Sequence, residues 1–201
     1  MSTRSEAAAK TRQRLLDAAL TLFSQRGYAA TGIREILGLA GVTQPTLYHH
    51  FADKASLLQA LIEQHYGDSQ QRLAEIFATE SSVAGKLTLL VTSSFAHCCS
   101  DPRVPRLMFQ TYFGPPVPEI DGVLDQLTEQ RFRLVVGAME LGIRSGELSK
   151  SNPEFLALSF CNLVDQPLNL FSRKPRPQQY LTPELAHAIV NLFLHGAASR
   201  A

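Results

Sequence analysis

Apolar residues recur at i, i+3, i+4 and i+7 through almost every stretch between glycine and proline marks, and period-2 alternation never lasts long enough for a strand. A chain patterned this way must close its core by packing helix on helix. The expected fold is all-α, with about nine helices. With 45% hydrophobic and 18% charged residues among 201, the composition is that of an ordinary globular protein with enough apolar side chains for a real core. The breakers are Asp101-Pro102, Gly114-Pro115-Pro116, Ser151-Asn152-Pro153 and the stretch from Lys174 to Pro183, which holds three prolines. They divide the chain into helices over about 8–26, 33–40, 44–51, 54–77, 83–99, 103–113, 119–145, 153–173 and 183–199. Gly27 is expected to end the first as a left-handed cap, and Asp53 to cap the fourth.

The two short helices over 33–40 and 44–51 are joined by Gly41, Val42 and Thr43. Two helices on a tight glycine-containing turn form a helix-turn-helix, whose second helix enters the DNA major groove. At about 100° per residue, Leu47 and Phe51 share the side that packs inward, and the opposite side presents Pro45 and His49 flanked by Thr46 and Tyr48. That face carries no acid. Gln44 suits an adenine edge, Thr46 a base or thymine methyl, and Tyr48 and His49 phosphate oxygens. Pro45 in the first turn removes no helical hydrogen bond, and the free amides there favour a phosphate. Arg34 and Lys54 bracket the surface with positive charge. The net charge of +1 says little, but Arg4, Lys10, Arg12 and Arg14 face only Glu6 in the first fourteen residues, which makes a basic N-terminal arm.

The run Gly27-Tyr28-Ala29-Ala30-Thr31-Gly32-Ile33-Arg34-Glu35-Ile36, followed by Ala40-Gly41-Val42-Thr43-Gln44-Pro45-Thr46-Leu47-Tyr48-His49-His50-Phe51 and Lys54, resembles the DNA-binding signature of the TetR family of bacterial repressors. The resemblance covers roughly residues 8–62. It implies a three-helix DNA-binding domain at 1–62, with a helical ligand-sensing and dimerisation domain at 63–201. It also implies that Arg34, Thr43, Gln44, Pro45, Thr46, Tyr48, His49 and Lys54 stand where the family touches DNA. Gly32 departs from the family's usual Ser or Thr cap, Gly38 adds roughly 1 kcal/mol of helix cost relative to Ala, and Leu37 in place of alanine implies slightly wider packing of the second and third helices.

In the last two helices, Leu185, Ile189, Leu192 and Gly196 form one stripe and Ala186, Val190, Phe193 and Ala197 an adjacent one. A helix too apolar for one neighbour wants a second, and the family resemblance implies a homodimer through this pair. Two recognition helices must then sit about 34 to 36 Å apart, which implies a palindromic double-stranded operator. Candidate ligand contacts, where aromatic and polar groups mix, are Phe95, Met108, Phe109, Tyr112, Phe113, Phe132, Met139, Asn162 and Gln166, with His97 and Phe160 nearby. Pro167 should kink its helix and open space beside it. Asp165 is either a ligand contact or a group that satisfies the kink. The expected effector is a small, largely apolar molecule, with no cofactor and no metal.

Other classes are disfavoured. No Ser-His-Asp order, glycine-rich phosphate loop or His/carboxylate metal spacing supports an enzyme that retains a vestigial helix-turn-helix. A protein that only dimerises would leave the basic arm idle. Adjacent Cys98 and Cys99 point about 100° apart on a helix and, with remote Cys161, make neither a disulfide framework nor a zinc pattern. Together with a start that lacks a signal-peptide core, this points to a reduced, cytoplasmic protein. No apolar run approaches the roughly 20 residues of a membrane span.

Overall fold

Helices end where glycine and proline were expected to end them. The computed structural model describes residues 4–80 and 82–196. These form α1 (Arg4–Arg26), α2 (Ile33–Ala40), α3 (Gln44–His50), α4 (Lys54–Thr79), α5 (Val83–Ser100), α6 (Arg103–Phe113), α7 (Asp121–Ser145), α8 (Pro153–Ser172) and α9 (Pro183–His195). Among the described residues there is no strand. The proline-rich stretch before α9 contains a short 3₁₀ turn, Pro177–Gln179, that periodicity had not suggested. α1 begins earlier than expected, at Arg4. The side chain of Arg4 and the expected last turn of α9, with Ala197, lie outside the described residues.

Local chemistry accounts for the ends. Gly27 takes φ +81°, and its amide donates to the Phe23 carbonyl at 2.8 Å to close α1. Asp53 caps α4 by accepting from the Ser56 amide at 2.7 Å, while the Ser56 hydroxyl accepts from the Asp53 amide at 3.0 Å. Asn152 caps α8 in the same way, accepting from the Phe155 amide at 2.7 Å. Gly32 has no side chain to cap α2, so the Glu35 carboxylate reaches back to accept from the Gly32 amide at 2.9 Å and from Arg26 at 2.8 Å. The Gly32 amide first, then the Arg26 guanidinium, hold the Glu35 carboxyl below its ordinary pKa.

Two apolar cores result. The first joins Leu15, Ala19 and Phe23 of α1 to Ile36 of α2, Leu47 of α3 and Leu57, Leu58, Leu61 and Ile62 of α4. It also takes in Val104 and Leu107 of α6 and Ile120 and Leu124 at the start of α7. The helix-turn-helix is thus rooted in residues well beyond position 62. The second core gathers Leu87, Val91 and Phe95 of α5, Val135 and Met139 of α7, Phe160 and Val164 of α8 and Ile189 and Val190 of α9. Each such fully buried side chain contributes about 1.5–3 kcal/mol. α4 spans both cores. Its 26 residues make a rod about 39 Å long, and its far end is held by buried Lys86, whose ammonium donates to the Phe77 carbonyl at 2.6 Å and to that of Glu80.

Candidate DNA-binding face and effector cavity

α3 is anchored as its periodicity requires: Leu47 is fully buried and Phe51 nearly so. Thr43, Gln44, Pro45, Tyr48 and His49 are exposed, and Thr46 is half-buried, its hydroxyl 2.9 Å from that of Thr43. Arg34 is exposed one turn into α2. No acidic residue lies in α3. Tyr48 leaves 48% of its surface in solvent, a large aromatic that the fold does not use internally.

Two cations near this surface also hold the fold together. Arg14, read as part of a basic arm, stays exposed but points its guanidinium at the turn, donating to the carbonyls of Ala40 and Gly41, the latter at 3.2 Å. It therefore clamps the turn between α2 and α3, where Gly41 sits at φ +62° and any Cβ would come within 2.8 Å of that guanidinium. Lys54 is likewise engaged: its ammonium donates to the Tyr28 and Thr31 carbonyls, each at 3.0 Å, and lies 4.1 Å from the centroid of the Tyr28 ring. These contacts fix the loop before α2 to the start of α4. Arg12 packs over the Phe51 ring at 5.2 Å. Lys10 and Arg34 remain outward. His50, beside His49 at a ring separation of 5.1 Å, has its pKa lowered by burial, by His49 and by Arg12. Periodicity signals none of these long-cation placements, because a flexible stem ends wherever tertiary structure leaves an acceptor.

Above this face, α4, α5, α6, α7 and α8 enclose a cavity of about 750 Å³, within the range of small-molecule sites. Seven of the nine expected contacts line it: Met108, Phe109, Tyr112, Phe113, Phe132, Asn162 and Gln166. Phe95 and Met139 do not. Both are packed into the second core, Met139 fully, and Phe160 is buried there too. Sequence reasoning found Asn162 and Gln166 but missed other polar residues of the wall, including His65, Tyr66, Arg72, Ser93 and Arg131. A polar residue recurring on an otherwise apolar helical stripe was the available signal, as in Tyr66 and Arg131.

Asp165 is an ion-pair partner, accepting from Arg131 at 2.9 Å inside the wall. Asp165 raises the guanidinium pKa further, and burial pushes the Tyr66 hydroxyl beside them up to about 12. Space does open beside Pro167, since Asp165, Gln166, Leu168 and Asn169 all line the cavity. Burial also pushes the Cys98 thiol up to about 12 and that of Cys161 to about 11, so both stay protonated and poorly reactive near neutral pH. Among the described residues no three His, Cys, Asp or Glu side chains converge as a metal site.

α6 connects cavity and DNA-binding face. Its Met108, Phe109 and Tyr112 line the cavity, while its Arg103 pairs with Asp17 of α1 at 2.8 Å and donates to Thr21 at 2.8 Å. One turn from its end, Gln110 donates to the Ser24 carbonyl at 3.1 Å. Phe155 and Leu158 of α8 are 64% and 54% exposed, Leu158 at the cavity's edge, and Leu192 of α9 is 43% exposed. The second stripe expected on α9 is largely internal, with Ala186 and Val190 buried. No helix among the described residues is long and apolar enough to cross a membrane.

Comparison with known proteins fits this geometry. Residues 15–61 match the family model described as bacterial regulatory proteins, tetR family. The chain is 29% identical over 149 residues to the HTH-type transcriptional repressor KstR2 of Rhodococcus jostii, covering 74% of this chain and 73% of that one. The fold resembles that of the transcriptional regulator FadR from Bacillus subtilis in complex with stearoyl-CoA, with a TM-score of 0.80 at 19% identity over 92% and 99% of the two chains. It also resembles AibR in complex with isovaleryl coenzyme A and operator DNA, with a TM-score of 0.76 at 18% identity over 90% and 97%. At those identities the two structural likenesses speak for the fold.

Proposed function

We propose that the chain is a transcriptional regulator of the TetR family, a homodimeric repressor released from a palindromic operator by a small, largely apolar effector. The observation that carries the DNA-binding half is the division of α3, with Leu47 and Phe51 inward and an acid-free face of Gln44, Pro45, Tyr48 and His49 outward. Arg34 and Thr43 extend that face, and Thr46 supports it through Thr43. Residues 1–62 act as the reading head and residues 63–201 as the sensor and dimer platform, with α6 and α4 passing between them. The exposed Phe155, Leu158 and Leu192 on α8 and α9 favour burial against a second copy.

The effector half rests on the cavity of about 750 Å³ and its aromatic wall. FadR and AibR, which share this fold, are complexed with acyl thioesters of coenzyme A, one with a long and one with a short acyl chain, so we assign the apolar part of the effector to an acyl chain carried on a coenzyme A head group. Moving the protein from 99% operator-competent to 1% requires about a 10⁴-fold difference in effector affinity between the two states. Burying an acyl chain in one state and not the other is of that order, at about 0.8 kcal/mol per methylene.

A mobility-shift titration with the DNA upstream of the chain's own coding region tests this. Wild type is expected to retain the fragment, Tyr48→Ala to lose most of that retention, and palmitoyl-CoA to release the wild-type complex. Equal retention by wild type and Tyr48→Ala sinks the recognition helix; undisturbed complexes at saturating palmitoyl-CoA sink the effector class.

A further inference from the structure

The wall between α4 and α5 separates the main cavity from a second hollow. That hollow is an open groove of about 520 Å³ on the outer side of the two helices, and Glu75, Thr79, Leu89 and Thr92 contribute to it. Arg72, Ile76 and Ser93 line both spaces. The partition therefore consists of one long cation, one aliphatic side chain on the next turn of α4, and one small hydroxyl facing them from α5.

Charge is distributed unevenly around the main cavity. Its α7 rim carries Asp125 and Glu129, the latter bonded to Arg133 at 2.6 Å. Arg131 in the interior is already paired with Asp165 at 2.9 Å, so its charge is largely offset before any anion arrives. Arg72 differs, since among the described residues it forms no ion pair or side-chain hydrogen bond. Glu75, the nearby carboxylate on the groove side, accepts from Gln71 at 3.1 Å. An anionic group entering from the α7 rim meets Asp125 and a Glu129 already paired with Arg133, whereas one placed at the α4–α5 wall meets, beside Glu75, a guanidinium that has no ion pair among the described residues and a fork suited to carboxylate or phosphate.

Resting on the acyl-effector reading above, we infer that the effector lies across this partition, its apolar chain in the main cavity and its anionic head group on Arg72, emerging between α4 and α5 into the outer groove. Arg72 then swings aside as the gate and stays as the anchor. The head group pushes directly on α4, the helix that carries Lys54 and the start of the DNA-binding core.

Isothermal titration of the full-length protein with palmitoyl-CoA, palmitate and hexadecanol, each below its aggregation threshold, tests the placement. Wild type is expected to bind both anions at least about tenfold more tightly than the neutral alcohol, the scale of one charge-assisted contact. That preference should shrink with added salt. Arg72→Gln should weaken both anions about tenfold and leave hexadecanol unchanged, and Arg72→Lys should keep much of the preference. Ile76→Trp, which narrows the slot, should remove any advantage of palmitoyl-CoA over palmitate. Unchanged palmitoyl-CoA binding by Arg72→Gln overturns the anchor while leaving the acyl reading standing. A palmitoyl-CoA advantage that survives Ile76→Trp overturns the exit route. Failure of all three ligands to bind wild type removes the acyl class itself, and the head-group placement with it.

Discussion

The two ends of α4 lie in regions that use apolar side chains in opposite ways. Around its first half, Leu15, Phe23, Ile36, Leu47, Leu57 and Leu58 are packed without measurable exposure or nearly so, and the large hydrophobic side chains left in solvent there are Leu39 and Tyr48. Around its second half, Phe109, Phe132 and Met108 face a hollow of about 750 Å³, and Phe113 stays 68% exposed at its mouth. The first arrangement holds one helix at a fixed angle for reading a groove. The second leaves unfilled volume, so that occupation by a guest can move helices that emptiness does not constrain.

Removing one side chain from each region should separate the two most widely. Leu47→Ala should cost about 3 kcal/mol of stability, because the tight core cannot collapse onto the gap. Phe132→Ala, on a wall already facing space, should cost less than half as much; equal losses in chemical denaturation would contradict the division into packed and hollow regions. Next in size is Arg14→Ala. It removes the clamp on the Ala40 and Gly41 carbonyls at about 1 kcal/mol, yet should lower operator affinity more than it lowers the melting temperature, since the turn angle aims α3. A proportionate loss of both would make Arg14 a mere contributor to stability.

The smallest expected effect is on the alkaline side. Cys98, Cys161 and Tyr66 ionise at about 12, 11 and 12 in the folded protein against ordinary values of 9.0, 9.0 and 10.0. Their folded pKa values are raised, so the stabilisation is complete below pH 9 and is lost as pH rises from 9 towards 12, where the unfolded chain sheds protons that the fold retains. Urea midpoints should fall across that window. Cys161→Ser should soften the fall, and a profile indifferent to Cys161→Ser would place that thiol in contact with bulk solvent.

Much of the fold was legible because its signals are local. Gly27, Gly41, Asp53 and Asn152 end or begin helices through their own backbone and side-chain chemistry, and Leu47 and Phe51 fix the facing of α3 by spacing alone. The cavity was half legible. Periodicity marks Phe95 and Met139 as inward just as it marks Phe109 and Phe132, but whether inward means a packed neighbour or a void depends on helix crossing angles that no single helix encodes. Arg14, Lys54 and Lys86 were illegible for a related reason: each reaches a backbone carbonyl supplied by another element. Charge counting assigned Arg14 to a DNA-binding arm, and the structure gives it to the turn that the arm was expected to serve.

Fluorescence anisotropy against the upstream fragment and a scrambled fragment of equal length decides whether the outer face of α3 reads DNA sequence. Wild type should prefer the upstream fragment by at least about 10³-fold, and Gln44→Ala should erode this preference while leaving scrambled-fragment binding and its salt dependence nearly unchanged. Equal affinity of wild type for the two fragments, or a preference that Gln44→Ala and Tyr48→Ala both leave intact, would contradict it.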